Sequence, residues 1–187
     1  MAKPKRRDAQ ATKGAILKAA RRHFAARGYE RATVRAVAAA AGIDAALVMR
    51  YFGSKEQLFA AAADFDLALP VLTTLPRTRV GAALIEHFVQ RWEADDTFVA
   101  LLRAAATNEV AARSVRAVLA KQVLPAVAAV SCDGRGAARS ALVATQILGL
   151  ALCRYVLRLP PVVALSRAEL VGYFAPTLQR YVTGKLP

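Results

Sequence analysis

The sequence predicts an all-α fold of about nine helices, with an N-terminal three-helix helix-turn-helix domain followed by a larger helical domain. Three observations predict it. Apolar residues recur at helical spacing, as in Phe98, Leu101, Leu102 and Ala105, which follow the i, i+3, i+4, i+7 pattern of a one-sided helix. No strand pattern competes, because the short apolar runs lack period-two alternation, Asn-Gly turns are absent and alanine dominates. Glycines, prolines and capping residues fall where helices should start and stop.

Residues 1 to about 10 are polar and basic without apolar periodicity, so they are expected to form a mobile arm, and they lack the apolar stretch of a signal peptide. After the first helix, Thr33 caps a second whose Val34, Val37, Ala38 and Ala41 share one face, and Gly42 supplies a turn residue that tolerates positive φ. Asp44 caps a third helix, Ala45 to about Phe52, with Val48 and Tyr51 or Phe52 facing inward and Ala45, Ala46, Met49 and Arg50 outward. Gly53 stops it. Ser54 and Gln57 then make a capping box for a fourth helix, expected to run through Phe65 and Leu67 to about Ala68. The domains are expected to divide as 1–54 and 55–187, with Pro70 and Pro76 marking the passage between them.

A fifth helix, about Arg79 to Glu93, places Val80, Leu84, Phe88 and Trp92 on one stripe. Asp95 and Asp96 end it and cap a sixth, which breaks near Thr107 and Asn108. A seventh spans Glu109 to about Val130, kinked by Pro125, and the loop Ser131–Gly136 leads to an eighth that ends before Pro160 and Pro161. Ser166 and Glu169 form a second capping box for the last helix, with a kink expected at Pro176.

Two short helices around a glycine turn make a helix-turn-helix, whose second helix enters the DNA major groove, or an ordinary helical hairpin. Charge separates the two. Residues 1–55 carry thirteen basic and three acidic side chains, against fourteen and ten in the rest, so most of the net +14 lies in the first third. That asymmetry is the footprint of a polyanion-binding surface.

The segment Ile16 to Ala63 closely resembles the DNA-binding domain of the TetR family of bacterial transcriptional regulators. The likeness rests on Ile16-Leu17, Ala19-Ala20, Phe24, Gly28-Tyr29, Thr33-Val34-Arg35, Val37-Ala38, Ala41-Gly42, Tyr51-Phe52 and Ser54-Lys55-Glu56. The ending ALVATQILGLALCRYVLRLPPV is similar, more loosely, to one actinobacterial-type subgroup of that family's effector domains. Met49 stands where the family often has Tyr, and Asp44 where Ser is common. The resemblance implies a transcriptional regulator, most simply a repressor, that binds a palindromic double-stranded DNA operator as a homodimer through its last two helices. It is released by a small molecule held in the second domain. A DNA-binding protein without a small-molecule effector, acting in nucleoid organisation or through a protein partner, is the alternative.

The candidate DNA-reading residues are Ala45, Ala46, Leu47, Met49 and Arg50 on the recognition helix. Arg50 can donate two hydrogen bonds to a guanine, and the small apolar groups can meet thymine methyls. Thr33, Arg35, Tyr51 and Lys55 match positions that contact the phosphate backbone in relatives. Leu47 reads equally as a packing residue, and for Tyr51 packing is the alternative. The candidate effector site is Phe88, Trp92, Phe98, Leu102, Gln146 and Tyr155, with Arg103 and Arg154 placed to answer an anionic end group; the effector expected is apolar or weakly anionic. The same side chains can instead simply fill the core.

Enzyme chemistry finds no support. His23 and His87 have no metal-ligand partner at helical spacing, and the pairs Asp64/Asp66 and Asp95/Asp96 point apart on helices, so no catalytic residue, metal site or cofactor is expected. The longest nearly apolar run, Ala141 to Cys153, is shorter than the roughly 20 residues of a membrane span. Cys132 and Cys153 lack C-x-x-C spacing and suit a reducing cytoplasm. A soluble, cytoplasmic protein is expected. The apolar circumference of the eighth helix, with Gly149 open to close approach, points to burial against a second copy or within the chain.

Overall fold

The computed structural model describes residues 4–63, 66–94 and 97–186, and among them no strand occurs. Helix α1 (Pro4–Arg31) begins well before the expected position, so the segment read as an arm is helical from Pro4. A proline at the first helical position loses no hydrogen bond there and already has the required φ. Near its end α1 breaks at Gly28, whose φ of 71° a residue with a Cβ adopts only at a cost.

Helices α2 (Val34–Ala41) and α3 (Ala45–Phe52) form as the caps dictate. Thr33 accepts from the Ala36 amide, Gly42 sits at φ 67° and ψ 32°, and Asp44 accepts from the Ala46 amide at 2.6 Å. Ser54 opens α4 (Lys55–Ala62) by accepting from the Gln57 amide at 3.1 Å. The other half of that capping box is replaced, because the Ser54 amide already donates to the Phe52 carbonyl at 2.9 Å. Helix α4 also stops earlier than expected. Ala63 caps it, and Leu67 and Ala68 lie in non-helical chain, Ala68 at a φ of 50°. Phe65, like the Asp95 and Asp96 caps, lies outside the described residues.

Helix α5 (Val80–Ala94) buries the predicted stripe Val80, Leu84, Phe88 and Trp92. It is followed by α6 (Thr97–Ala105), and α7 (Glu109–Val118) passes through a π-type turn at Leu119–Val123 into α8 (Leu124–Val130). That turn answers Pro125, which has no amide to donate and whose ring crowds the preceding turn. Helix α9 (Gly136–Ala151) ends in a second π-type turn, Leu152–Val156. Pro160 and Pro161 then open the short α10 (Pro160–Val163), and the Ser166–Glu169 box caps α11 (Arg167–Thr183), which runs on through Pro176. Taken together, Gly136–Val156 is 21 residues with a mean hydropathy of 1.4 over its best window, so it is long and apolar enough by composition to cross a membrane. The apolar run Ala141 to Cys153 lies inside this helix, which the turn at 152–156 carries on to Val156.

The chain divides into two compact units, Met1–Phe65 with Ala100–Val115, and Asp66–Val99 with Arg116–Pro187. In the first, α1 packs on α2 and α4 around Ile16, Ala20, Phe24, Val37, Val48, Phe52, Leu58 and Phe59. The Phe24 and Phe59 rings meet edge to face at 4.8 Å, and the Arg21 guanidinium donates to the Ala62 carbonyl. In the second, α5 lies along α11. Their backbones touch at Gly81, where a Cβ would come within 2.5 Å of the Ala175 carbonyl oxygen and the Gln179 nitrogen. Each fully buried Leu or Phe in these cores stabilises by about 1.5–3 kcal/mol relative to exposure. Arg139, 4% exposed, holds the chain end: it pairs with Asp133 through two nitrogens at 2.7 and 3.0 Å and donates to the Tyr181 and Gly184 carbonyls.

Candidate nucleic-acid interface and effector site

Helix α3 is held from behind by Val48 and Phe52, which are buried, so the inward position left open between Tyr51 and Phe52 belongs to Phe52. Its outer side carries Ala46, Met49 (41% exposed) and Arg50, all exposed, with Ala45, Leu47 and Tyr51 half-buried at its margins. Arg50 has no partner among the described residues, which leaves both edges of its guanidinium for a base. Thr33 and Arg35 are exposed at the start of α2; the Thr33 hydroxyl oxygen is used as a cap, and its proton is still available to a phosphate.

Lys55 is positioned by groups the sequence did not mark for that role. Its ammonium donates to the Glu30 carbonyl at 3.1 Å and lies 4.5 Å from the centre of the Tyr29 ring. Tyr29 in turn packs edge to face on Phe59 at 5.0 Å, and its hydroxyl donates to Glu56 at 2.8 Å. Burial, then the bond to Glu56, pushes the Tyr29 hydroxyl up to about 12. Glu56 is held below its ordinary value by the amide at its own position first and by Tyr29 second. The end of α1 and the start of α4 are thus joined around one lysine that keeps two donors free.

Of the predicted effector residues, Phe88, Trp92 and Tyr155 form one aromatic cluster in the second unit. Phe88 and Trp92 lie 5.6 Å apart, and Trp92 meets Tyr155 edge to face at 5.6 Å. Phe98, buried, and Gln146, half-buried, belong to the same unit. Two donors in the cluster, the Trp92 indole N–H and the Tyr155 hydroxyl, are buried without a hydrogen-bond partner. Burial pushes the Tyr155 hydroxyl up, and the adjacent Arg154 pulls the other way. Arg154 itself is committed elsewhere, donating to the Val162 and Leu165 carbonyls among others, which fastens the turn after α9. Leu102 and Arg103 fall in the first unit, where Arg103 lines a cleft with the end of α1.

His87 is satisfied by the Leu67 carbonyl at 2.7 Å, as expected of a structural histidine, and this fixes the proton on the bonded nitrogen. Gln122, on the π-type turn, accepts from the Leu67 amide at 2.7 Å. Among the described residues no group of three His, Cys, Asp or Glu is placed to hold a metal.

Two families match. The one described as bacterial regulatory proteins, tetR family, matches residues 16–62, and the one described as tetracyclin repressor-like, C-terminal domain, matches residues 79–182. The HTH-type transcriptional repressor AcnR of Corynebacterium efficiens is 49% identical over 53 residues, a stretch that is 28% of this chain and 28% of that repressor. A solved TetR-family regulator from Streptomyces coelicolor A3 is 27% identical, with a TM-score of 0.67 over 91% of this chain and 94% of its own. The multidrug binding protein EbrR, solved with proflavin, shares the fold at 17% identity, with a TM-score of 0.60 over 91% of this chain and 99% of its own.

Proposed function

Because this chain belongs to the tetR family of bacterial regulatory proteins, a family of regulators and not of enzymes, we propose that it is a DNA-binding transcriptional repressor released by a small molecule. It would sit on a palindromic operator as a homodimer, in the cytoplasm, with residues 1–54 reading DNA and 55–187 binding the effector and the second copy. The observation that carries the proposal is the outer side of α3, where Ala46, Met49 and the uncommitted Arg50 stand exposed, and Thr33, Arg35 and Lys55 supply the groups that this reading assigns to phosphates.

The dimer is supported by apolar side chains left exposed in the last segments of the second unit. Leu152, Leu157 (58% exposed), Val163 and Tyr173 (65% exposed) lie at the surface, and a Cβ at Gly149 would meet nothing of its own chain. An exposed apolar surface of this kind is the ordinary mark of a partner helix, and a twofold partner gives the two recognition helices a palindrome requires. The effector is supported by the two orphaned donors beside Trp92, since a buried N–H without an acceptor costs about 1–3 kcal/mol and a bound acceptor removes that cost.

Selection of binding sites from a random duplex pool tests the proposal. An enriched inverted repeat with half-site centres about one helical turn apart, roughly 34 Å, or somewhat more is expected. Recovery of no common sequence would leave only charge-driven DNA binding.

A further inference from the structure

The first unit contains a cleft of about 320 Å³ between the end of α1 and residues 100–108. Three arginines line it, Arg27 and Arg31 from α1 and Arg103 from α6. All three are exposed and have no partner among the described residues. Glu30 is the one acidic residue in the lining, so the cleft keeps an excess of two positive charges. Like charges lining one cleft repel, and an anion bound among them offsets that repulsion. Gly28 also lines the cleft, and with no side chain it leaves the backbone open there.

The geometry points to a binding site for a small phosphate-bearing anion, held by Arg27, Arg31 and Arg103. Guanidinium groups suit this ligand because their planar donors match phosphate oxygens two at a time. The site belongs to the first unit, and the aromatic cluster around Trp92 belongs to the second. The site also touches the DNA-binding surface through one short path. The segment between Arg27 and Arg31 carries Tyr29 and Glu30, which hold Lys55 by its ammonium. An anion that draws Arg27 and Arg31 toward Arg103 acts on the segment that aims Lys55, and it lowers the positive charge at that end of the unit. Occupancy therefore weakens operator binding.

The shared chemistry, a phosphate group, can come from a free metabolite or from the DNA backbone; the inference is the free anion. The probe is inorganic phosphate, titrated into the full-length protein at ionic strength held constant with chloride and followed by calorimetry. Saturable binding is expected, weakened about tenfold by Arg103→Gln and separately by Arg31→Gln, the loss of one charge-assisted contact. In parallel, affinity for a selected operator is measured with phosphate and with chloride. The native protein should bind less tightly in phosphate, and in Arg103→Gln the same loss should require about tenfold more phosphate. Absence of saturable phosphate binding, or binding that both variants leave unchanged, overturns the inference. If Arg103→Gln instead lowers operator affinity in chloride alone and reduces its salt dependence by one contact, about 0.9 log units per tenfold salt, the cleft holds a backbone phosphate and the free-anion site is overturned. Both side chains are exposed on separate helices, so the variants keep the fold.

Discussion

The Tyr29 hydroxyl donates to the Glu56 carboxylate across 2.8 Å, and this bond joins the broken end of α1 to the first turn of the helix that follows the recognition helix. The same Tyr29 ring lies beneath the Lys55 ammonium. One side chain thereby fixes both a charge and the helix that carries it.

That arrangement predicts a measurable alkaline signature. The Tyr29 hydroxyl is pushed up to about 12 from its ordinary 10, so the folded state favours the protonated form. Its stabilisation is full below about pH 10 and is lost as pH rises through about 12. Denaturant unfolding between pH 9 and about 11.5 should show a steeper loss for the native protein than for Tyr29→Phe. Tyr29→Phe keeps the ring under Lys55 and should leave operator affinity nearly unchanged, whereas Tyr29→Ala should weaken it. Equal operator affinities for the two variants would separate Tyr29 from the DNA surface.

Lys55 and Arg50 are expected to fail in different ways. In the proposed role of Lys55 as a phosphate contact, Lys55→Ala should weaken every sequence alike and reduce the salt dependence by about 0.9 log units per tenfold salt. Arg50→Ala should relax the preference at one base pair per half-site, costing about 1–3 kcal/mol at the preferred base. Fluorescence anisotropy on the selected operator and on single-position variants reads both. Unchanged binding for both substitutions would remove this surface from the DNA.

Much of this surface was legible in the sequence because its determinants are local. Thr33, Gly42 and Asp44 each act within four residues, so their chemistry fixes the caps of α2 and α3 whatever lies beyond. The end of α4 was not legible, because Leu67 is fixed by His87 and Gln122, which are 20 and 55 residues away. Arg154 read as a pocket cation because sequence shows its charge and not the carbonyls it serves. Gly81 carried no signal at all, since its need for no side chain comes from the α11 backbone nearly a hundred residues on. Arg103 falls in a cleft that periodicity had no means to predict, because the facing residues of its lining lie at the end of α1.

The Asp133–Arg139 pair predicts an acid signature of opposite sense. Arg139, chiefly through its hydrogen bonds, holds the Asp133 carboxyl well below the usual carboxylate range. Its stabilisation is present above about pH 4, the unfolded value, and is lost as pH falls further. Asp133→Asn should lower the melting temperature at neutral pH and flatten the loss of stability between about pH 4 and 2. An unaltered acid profile would show that the end of α11 is held by the Arg139–carbonyl bonds alone.

Gly149→Glu tests the second copy. The added side chain meets no atom of its own chain and replaces a poor helix former, so the isolated fold should tolerate it or gain about 0.5–1 kcal/mol. Across a twofold axis it brings two carboxylates into a closed apolar face, which costs more than a local adjustment recovers. Sedimentation should show monomers of normal helicity, and operator binding should fall with the lost pairing. An intact dimer would place the interface elsewhere.

Trp92 is the only tryptophan, it is 1% exposed, and its indole N–H has no acceptor, so its emission reports on the aromatic cluster alone. An effector that reaches Phe88, Trp92 and Tyr155 should shift or quench that emission, and an acceptor atom on the ligand should satisfy both orphaned donors. Tyr155→Phe removes one donor without changing the ring, so it should weaken binding of a carbonyl-bearing aromatic while leaving its hydrocarbon analogue unaffected. The direction follows from the hydrogen bond, whose loss costs about 0.5–1.5 kcal/mol, or roughly two- to tenfold in affinity. Binding should also weaken the operator complex by about 5–150-fold if the two sites are coupled in the usual range. The screen is a panel of flat, neutral and weakly anionic compounds, read by Trp92 emission and operator anisotropy together. If both signals stay unmoved across the panel, the cluster is a filled core, and the effector-free DNA-binding protein becomes the better description of this chain.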